Sequence, residues 1–382
     1  MPGNKFLATA DVAAWLGELS KTMRVFAPRT EGQAVVYRPF DAAQGLELRR
    51  KPTESAKHVL FPRSEALLSF SYQLPPFGAP EVPVGAPEIK QEGEEQPARP
   101  LVAQVQVKMP ADPEPTVIFG MPGCDAGSVT TFDPVYGGSK FKDVYYLKKR
   151  QATVFIVRAC AEVLSTCFCN WVGGDPANDR HADVLATELA DGWLLRPVTD
   201  RGETILASPL LKDAPAVAEG QATAIHDSAR KALGEAPNLE GIEAALFALF
   251  SDKDFWQRES AGCLACGTCT YLCPTCHCFS ITDETSARNG VRLRSWDTCM
   301  AALYTLEASG HNPRSVKIAR LRNRVGHKFA YFLKNNDGQI SCCGCGRCIR
   351  SCPSSVDIRQ IVKDALAAAA TPPLQPAAPA AA

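Results

Sequence analysis

Hydrophobic and polar positions change period several times along this chain, and each change predicts an element. Residues 11–23 carry a helical pattern, and Ala34-Val35-Val36-Tyr37 is a short strand-like run. From 74 to 100 the text becomes LPPFGAPEVPVGAPEIKQEGEEQPARP. So much Pro, Gly and Glu cannot bury a core, and the segment reads as a flexible excursion from the N-terminal domain. Order returns with LVAQVQVKM at 101–109, where apolar and polar residues alternate as on a strand. Residues 116–119 and 153–157 are short, continuously apolar and β-branched, as in strands buried on both faces. Gly192-Trp193-Leu194-Leu195 predicts a further strand running into a turn at Asp200-Arg201-Gly202. Helical patterns follow at 217–233 and 239–250.

Two cysteine runs interrupt this pattern. Cys263-x2-Cys266-x2-Cys269-x3-Cys273-Pro274 and Cys342-x2-Cys345-x2-Cys348-x3-Cys352-Pro353 have one form. Three thiolates at i, i+3 and i+6 fit one tight loop around a face of an iron–sulfur cubane. The fourth, followed by proline, ligates the other cluster in two-cluster ferredoxins. The spacing therefore predicts two 4Fe–4S clusters. Cluster 1 would sit on Cys263, Cys266, Cys269 and Cys352, and cluster 2 on Cys342, Cys345, Cys348 and Cys273. Zinc favours two separated cysteine pairs around a tetrahedral ion, which suits these runs poorly. The predicted chemistry is electron transfer.

The 68 residues 274–341 separate the runs, far more than in a small bacterial-type ferredoxin. This insert reads as helical. One helix is expected at 296–308, capped near Ser295 or Asp297 and ended before Gly310. A second is expected at 313–333, with Pro313 at its start and Gly338 beyond its end. A short helix at 358–367 would close the domain. The expected fold class is α+β: an N-terminal α/β domain over 1–250, then an all-helical two-cluster ferredoxin-like domain over 251–366. An Ala/Pro tail over 367–382 is expected to be disordered.

Composition narrows the setting. Hydrophobic residues make up 46%, which excludes a wholly disordered chain, and Lys+Arg and Asp+Glu balance at 41 each. Nothing global therefore steers the chain to nucleic acid or an anionic membrane. The first residues show no signal-peptide core, and no stretch approaches the roughly 18 apolar residues of a spanning helix. Sixteen cysteines in that context read as metal ligands in a reducing compartment. The expected location is cytoplasmic, with any membrane link made through a partner. No G-x-G-x-x-G or P-loop is present, so neither a nucleotide site nor a catalytic residue is assigned.

Eight cysteines fall outside the two ligand sets. Cys124 and Cys160 each follow a predicted buried strand, where α/β sheets present ligand-binding loops. With Cys167 and Cys169 they form a candidate third metal site; the alternative is four ordinary small buried hydrophobes. Cys276, Cys278 and Cys299 are one thiol short of a cubane; they are expected to pack beside the clusters and tune them through weak hydrogen bonds, the alternative being an additional cluster completed by a ligand from elsewhere. Cys343 reads as a packing residue. The expected helix after Pro313 carries Arg314, Lys317, Arg320, Arg322, Arg324, His327 and Lys328. It is either a solvated basic face or a source of charge that raises cluster potentials or docks an acidic electron-transfer partner.

Several stretches carry a family resemblance: Gly120-x3-Cys124-Asp125, Thr166-Cys167-Phe168-Cys169, Cys273-Pro274-Thr275-Cys276-x-Cys278-Phe279, Trp296-Asp297-x-Cys299, Gly310-His311-Asn312-x-Arg314, and the second cysteine run. This text resembles the iron–sulfur beta subunits of cytoplasmic nickel–iron hydrogenases of the sulfhydrogenase type, and the electron-transfer subunit of anaerobic sulfite reductase. The resemblance covers 110–362 and, more weakly, the first 70 residues. It implies a non-catalytic conduit between a catalytic oxidoreductase subunit, nickel–iron hydrogenase-like, and a flavoprotein subunit that handles NAD(P)H or a related carrier. The sulfite reductase subunit is the alternative, differing in its partner. A cluster-based redox sensor or scaffold is the reading from another class, and no DNA-binding pattern supports it. The chain departs from the family at 120–124, where Gly-Met-Pro-Gly-Cys replaces the more usual Gly-Val-Arg-Pro-Cys.

Overall fold

The structure, a computed structural model, describes residues 3–73 and 104–370. The excursion at 74–100 and the tail beyond Ala370 lie outside the described residues. Twelve strands are found among them: β1 Lys5–Ala8, β2 Arg24–Glu31, β3 Ala34–Pro39, β4 Ser64–Gln73, β5 Gln104–Lys108 and β6 Thr116–Pro122, then β7 Thr153–Arg158, β8 Val184–Glu188, β9 Gly192–Pro197, β10 Lys212–Asp213, β11 Phe279–Ser286 and β12 Asn289–Trp296.

Eight strands form one sheet in the order β10-β1-β9-β8-β7-β6-β2-β3. Its centre is parallel, with β2, β6, β7 and β8 side by side. The link from β6 to β7 carries the helices Gly123–Ala126, Val129–Tyr136 and Val144–Ala152, enough chain for the crossover that parallel strands require. β6 is buried at every position, as a central parallel strand must be. Trp15 and Leu16 of the helix Val12–Leu19 close one core with Leu7, Val117, Phe119, Ile156, Trp193 and Leu195. A second core gathers Phe255, Trp256, Leu321, Val325, Phe329, Ile361 and Val362 around the cysteine runs, and Phe168 from the N-terminal half belongs to it.

Asp183 ties the sheet together just before β8. Its carboxylate is 2% exposed and accepts from the Phe155 amide at 2.9 Å, the Thr199 hydroxyl at 2.6 Å and the Arg201 guanidinium at 3.1 Å. Where a turn was expected at 200–202, Thr199 caps the helix Asp200–Ile205, and a Cβ on Gly202 would strike the Asp183 carbonyl oxygen.

The segment between the cysteine runs departs from the all-helical expectation. Residues 279–296 form the β11–β12 hairpin, in which Ile281 faces Arg294, Thr282 faces Leu293 and Val291 faces Glu284, β-branched residues that favour a pleated strand. The expected helix at 296–308 is a series of turns. Thr298 accepts from the Met300 amide, and Asn312 donates to the Ala302 carbonyl and accepts from the Arg314 amide. Side chains that satisfy backbone groups locally compete with helix formation. The next helix begins at Lys317, runs to Gly326 and continues through a π turn at His327–Tyr331 and the helix Phe332–Asn335. Ile358–Ala370 closes the described chain as a helix.

Two compact units result. One comprises the described parts of Met1–Phe61, Pro113–Cys278 and Asp297–Ala382; the other comprises those of Pro62–Asp112 and Phe279–Trp296. The second unit is the four-stranded sheet β11-β12-β4-β5, in which buried Arg294 bonds Glu65 at 2.9 Å through Nε. Among the described residues no helix is long and apolar enough to cross a membrane. Asp183→Ala leaves the Phe155 amide without its acceptor and is expected to cost about 3 kcal/mol. Urea denaturation measures this, and a loss under about 1 kcal/mol would mean that the carboxylate is not the tie described.

Candidate metal centre

Both cysteine runs begin as the same loop. Ala265 and Gly344 have φ of +55° and +63°, and two residues later Gly267 and Gly346 have φ of +79° and +70°. These left-handed residues curl the backbone so that its N–H groups face a concavity able to receive an anion. The Ala265 amide lies 3.4 Å from Cys263 Sγ, and the Gly344 amide 3.5 Å from Cys342 Sγ. Short helices, Thr268–Tyr271 and Arg347–Arg350, then carry the third cysteine and lead to the fourth.

The loops enclose two cavities. Cys263, Cys266, Cys269 and Cys352 line one, together with Met300, Leu321, Val356 and Arg324. Cys273, Cys342, Cys345 and Cys348 line the other, with Cys343, Phe168, Ile358 and Lys328. Each run thus turns its first three thiols to one cavity and its fourth to the other. Cys348 borders both, so the cavities are neighbours. Each hollow is mostly apolar and holds the four cysteines that the spacing predicts, with amide donors and a cation in reach, the donor chemistry that a 4Fe–4S cubane takes.

Buried cations accompany these sulfurs. Arg324 and Lys328 are 4% and 2% exposed. Lys328 donates to Thr275 Oγ1 at 2.9 Å and to the Ser341 carbonyl at 3.0 Å. Burial opposes its charge, but the sulfurs of Cys273, Cys276 and Cys342 outweigh that cost and raise its pKa well above the ordinary value. Lys57 donates to the carbonyls of Cys273 and Cys276 at 2.9 and 3.0 Å. Burial pushes His277 down to about 4 and His327 to about 3, so both rings are neutral at pH 7. The basic segment is therefore not a solvated face. Lys317 donates to the carbonyls of Ala261 and Cys263, Arg320 to those of Arg314 and Ser315, and Arg322 to that of Phe250.

Thiols outside the two sets pair with neighbouring sulfurs. Cys276 bonds Cys273 and holds its thiol well below the ordinary value. Cys343 brings Cys345 down to about 7, and Cys299, with the Tyr304 hydroxyl, brings Cys278 down to about 6. Cys124 lies in the short helix Gly123–Ala126 directly after β6, and Cys160 two residues beyond β7. Cys167 and Cys169 flank Phe168, whose amide donates to the Gly344 carbonyl at 2.8 Å.

Sequence reasoning missed the residues that join these parts. Arg347, within the second run, grips Asp125 with both guanidinium nitrogens, Nη2 to Oδ2 at 2.8 Å, and its Nε donates to the Pro52 carbonyl at 3.2 Å. Both side chains of the ion pair are 1% exposed. No sequence signal pairs residues 222 positions apart; the nearest hint was the acidic residue next to Cys124.

Paired cysteine loops of this geometry define an iron–sulfur protein of the dicluster class, and the 4Fe-4S dicluster domain family matches residues 262–356. Sulfhydrogenase 2 subunit beta of Pyrococcus furiosus is 32% identical to the chain over 247 residues, which cover 63% of this chain and 71% of that subunit. The chain belongs to the family of sulfhydrogenase iron–sulfur beta subunits. No solved structure matches it.

Breaking a buried ion pair from one side leaves an uncompensated charge. Asp125→Ala is expected to cost about 3–5 kcal/mol in denaturant unfolding of the anaerobically prepared protein. A cost no greater than that of an exposed pair would show that the Arg347 contact contributes little.

Proposed function

We propose that this chain relays electrons one at a time between a catalytic subunit, of hydrogenase type, and a flavin-bearing subunit of a cytoplasmic complex. Cluster 1 is bound by Cys263, Cys266, Cys269 and Cys352, and cluster 2 by Cys273, Cys342, Cys345 and Cys348. The observation that carries this reading is the exchange of the fourth thiol between two neighbouring cavities. That the relative is a sulfhydrogenase subunit supports the choice of catalytic partner.

A 4Fe–4S cluster supplies a one-electron couple whose potential depends on charge, hydrogen bonds and exposure. The chain's own residues set those conditions. Arg324 and Lys328 hold positive charge beside the two cavities and favour the more negative, reduced state. Phe168 and Ile358 exclude water from the second cavity, and the amides of Ala265, Gly344 and Val356 point to ligand sulfurs. Cys266 is exposed and Leu264 beside it is 68% exposed, so the first site has an edge at the surface that a partner's redox centre can approach.

Iron, acid-labile sulfide and low-temperature EPR on anaerobically purified protein test the assignment. Cys266→Ser and Cys345→Ser should each lose about four irons. Full iron content in either variant would refute the ligand sets. Lys328→Met should keep its iron while the midpoint potential of one cluster becomes more negative; an unmoved potential would mean that the ammonium does not act on the cluster.

A further inference from the structure

We propose that Cys124, Cys160, Cys167 and Cys169 hold a third 4Fe–4S cluster, docked against the loop of cluster 2. This goes beyond the two-cluster relay and stands on different thiols.

Cys124 and Cys160 leave the carboxyl ends of β6 and β7, which are adjacent parallel strands, so the two thiols emerge at one edge of the sheet. Cys167 and Cys169 reach the same place from a separate segment held by the second cysteine run. Beyond the bond from the Phe168 amide to Gly344, a Cβ added to Gly344 would lie 2.5 Å from Cys169 Cα, and one on Gly346 would strike the Thr166 carbonyl. The loop at 174–178 clamps all three pieces. The Gly174 amide donates to the Cys169 carbonyl at 2.9 Å, and the Cys160 amide donates to the Pro176 carbonyl at 2.8 Å. A Cβ on Gly123, next to Cys124, would approach the Asn178 carbonyl oxygen to 2.9 Å. Three chain segments that meet only through folding are thereby fixed with four thiols among them.

Charge distinguishes this cluster of thiols from ordinary packing. Lys51 reaches in with Nζ 2.9 Å from Cys160 Sγ. Among the described residues it makes no ion pair with a carboxylate. Small hydrophobic thiols need no lysine, whereas a cluster with four thiolates carries net negative charge that a buried ammonium offsets. Asp125, beside Cys124, is gripped by Arg347 between Cys345 and Cys348, so the third site is braced on the cluster 2 loop from two sides.

The test is iron, acid-labile sulfide and zinc per chain on the full-length, anaerobically purified protein. The wild type should hold about twelve irons, falling to about eight in Cys160→Ser and Cys167→Ser with the signals of the other clusters retained. About eight irons in all three proteins, or zinc in place of the last four irons, would overturn the third cluster and leave the two-cluster relay intact. About four irons that survive Cys266→Ser and vanish in Cys167→Ser would do the reverse. Lys51→Met gives a check that does not remove a ligand. It should retain its iron and shift one midpoint potential to a more negative value, and an unchanged set of potentials would overturn the role assigned to the lysine.

Discussion

Thiols must lose their protons to bind metal, and here nine cysteines line two neighbouring cavities. Negative charge in such a place is costly unless opposite charge and hydrogen-bond donors are fixed beside it. Arg324 and Lys328 meet that demand, because the neighbouring sulfurs raise the pKa of both despite their burial, while Lys57 donates to the carbonyls of Cys273 and Cys276. Sulfurs and cations thus offset each other's burial inside the hydrophobic core gathered around the cysteine runs. Because the metal is absent from the unfolded chain, its binding free energy becomes folding free energy, and loss of one ligand is felt across the domain.

Exchange of the fourth thiol has a topological consequence. Cys273 and Cys342 lie on the same cavity although 68 residues separate them, so the chain between them starts and ends at one place. A nested closure lies inside it, where the Asp297 amide donates to the Cys278 carbonyl at 3.0 Å. The β11–β12 hairpin leaves from that closure and returns to it, and a loop whose ends are already joined adds little entropic cost when it lengthens. The cluster loops can therefore keep one geometry while the segment between them is free to build part of a separate unit.

What was legible in the sequence was what is local. Two runs at identical spacing declare their loops, because a cubane dictates where thiols fall within a dozen residues. The buried strands at 116–119 and 153–157 were legible because a parallel strand covered on both faces is apolar throughout. The β11–β12 hairpin was not. Its alternation is weak, most of β11 is exposed, and Asp297 and Thr298, which look like helix caps, bond within turns instead. Lys51, Lys57 and the Asp125–Arg347 pair were invisible for another reason: each acts on a residue more than 100 positions away, and nothing in local spacing encodes such a meeting.

The two proposed stations of the relay are stabilised by different means. Cluster 2 lies against fixed cations, which favour its reduced form whatever its surroundings do. Cluster 1 has Arg324 on its inner side, but at Cys266 it meets water, which reorients around either oxidation state. A partner docking on that edge replaces water with protein, weakens the stabilisation of the reduced cluster and lowers its potential. In the proposed relay, a partner that covers this edge would therefore act on cluster 1 more than on cluster 2, because Cys266 is exposed whereas the thiols assigned to cluster 2 are buried or half-buried.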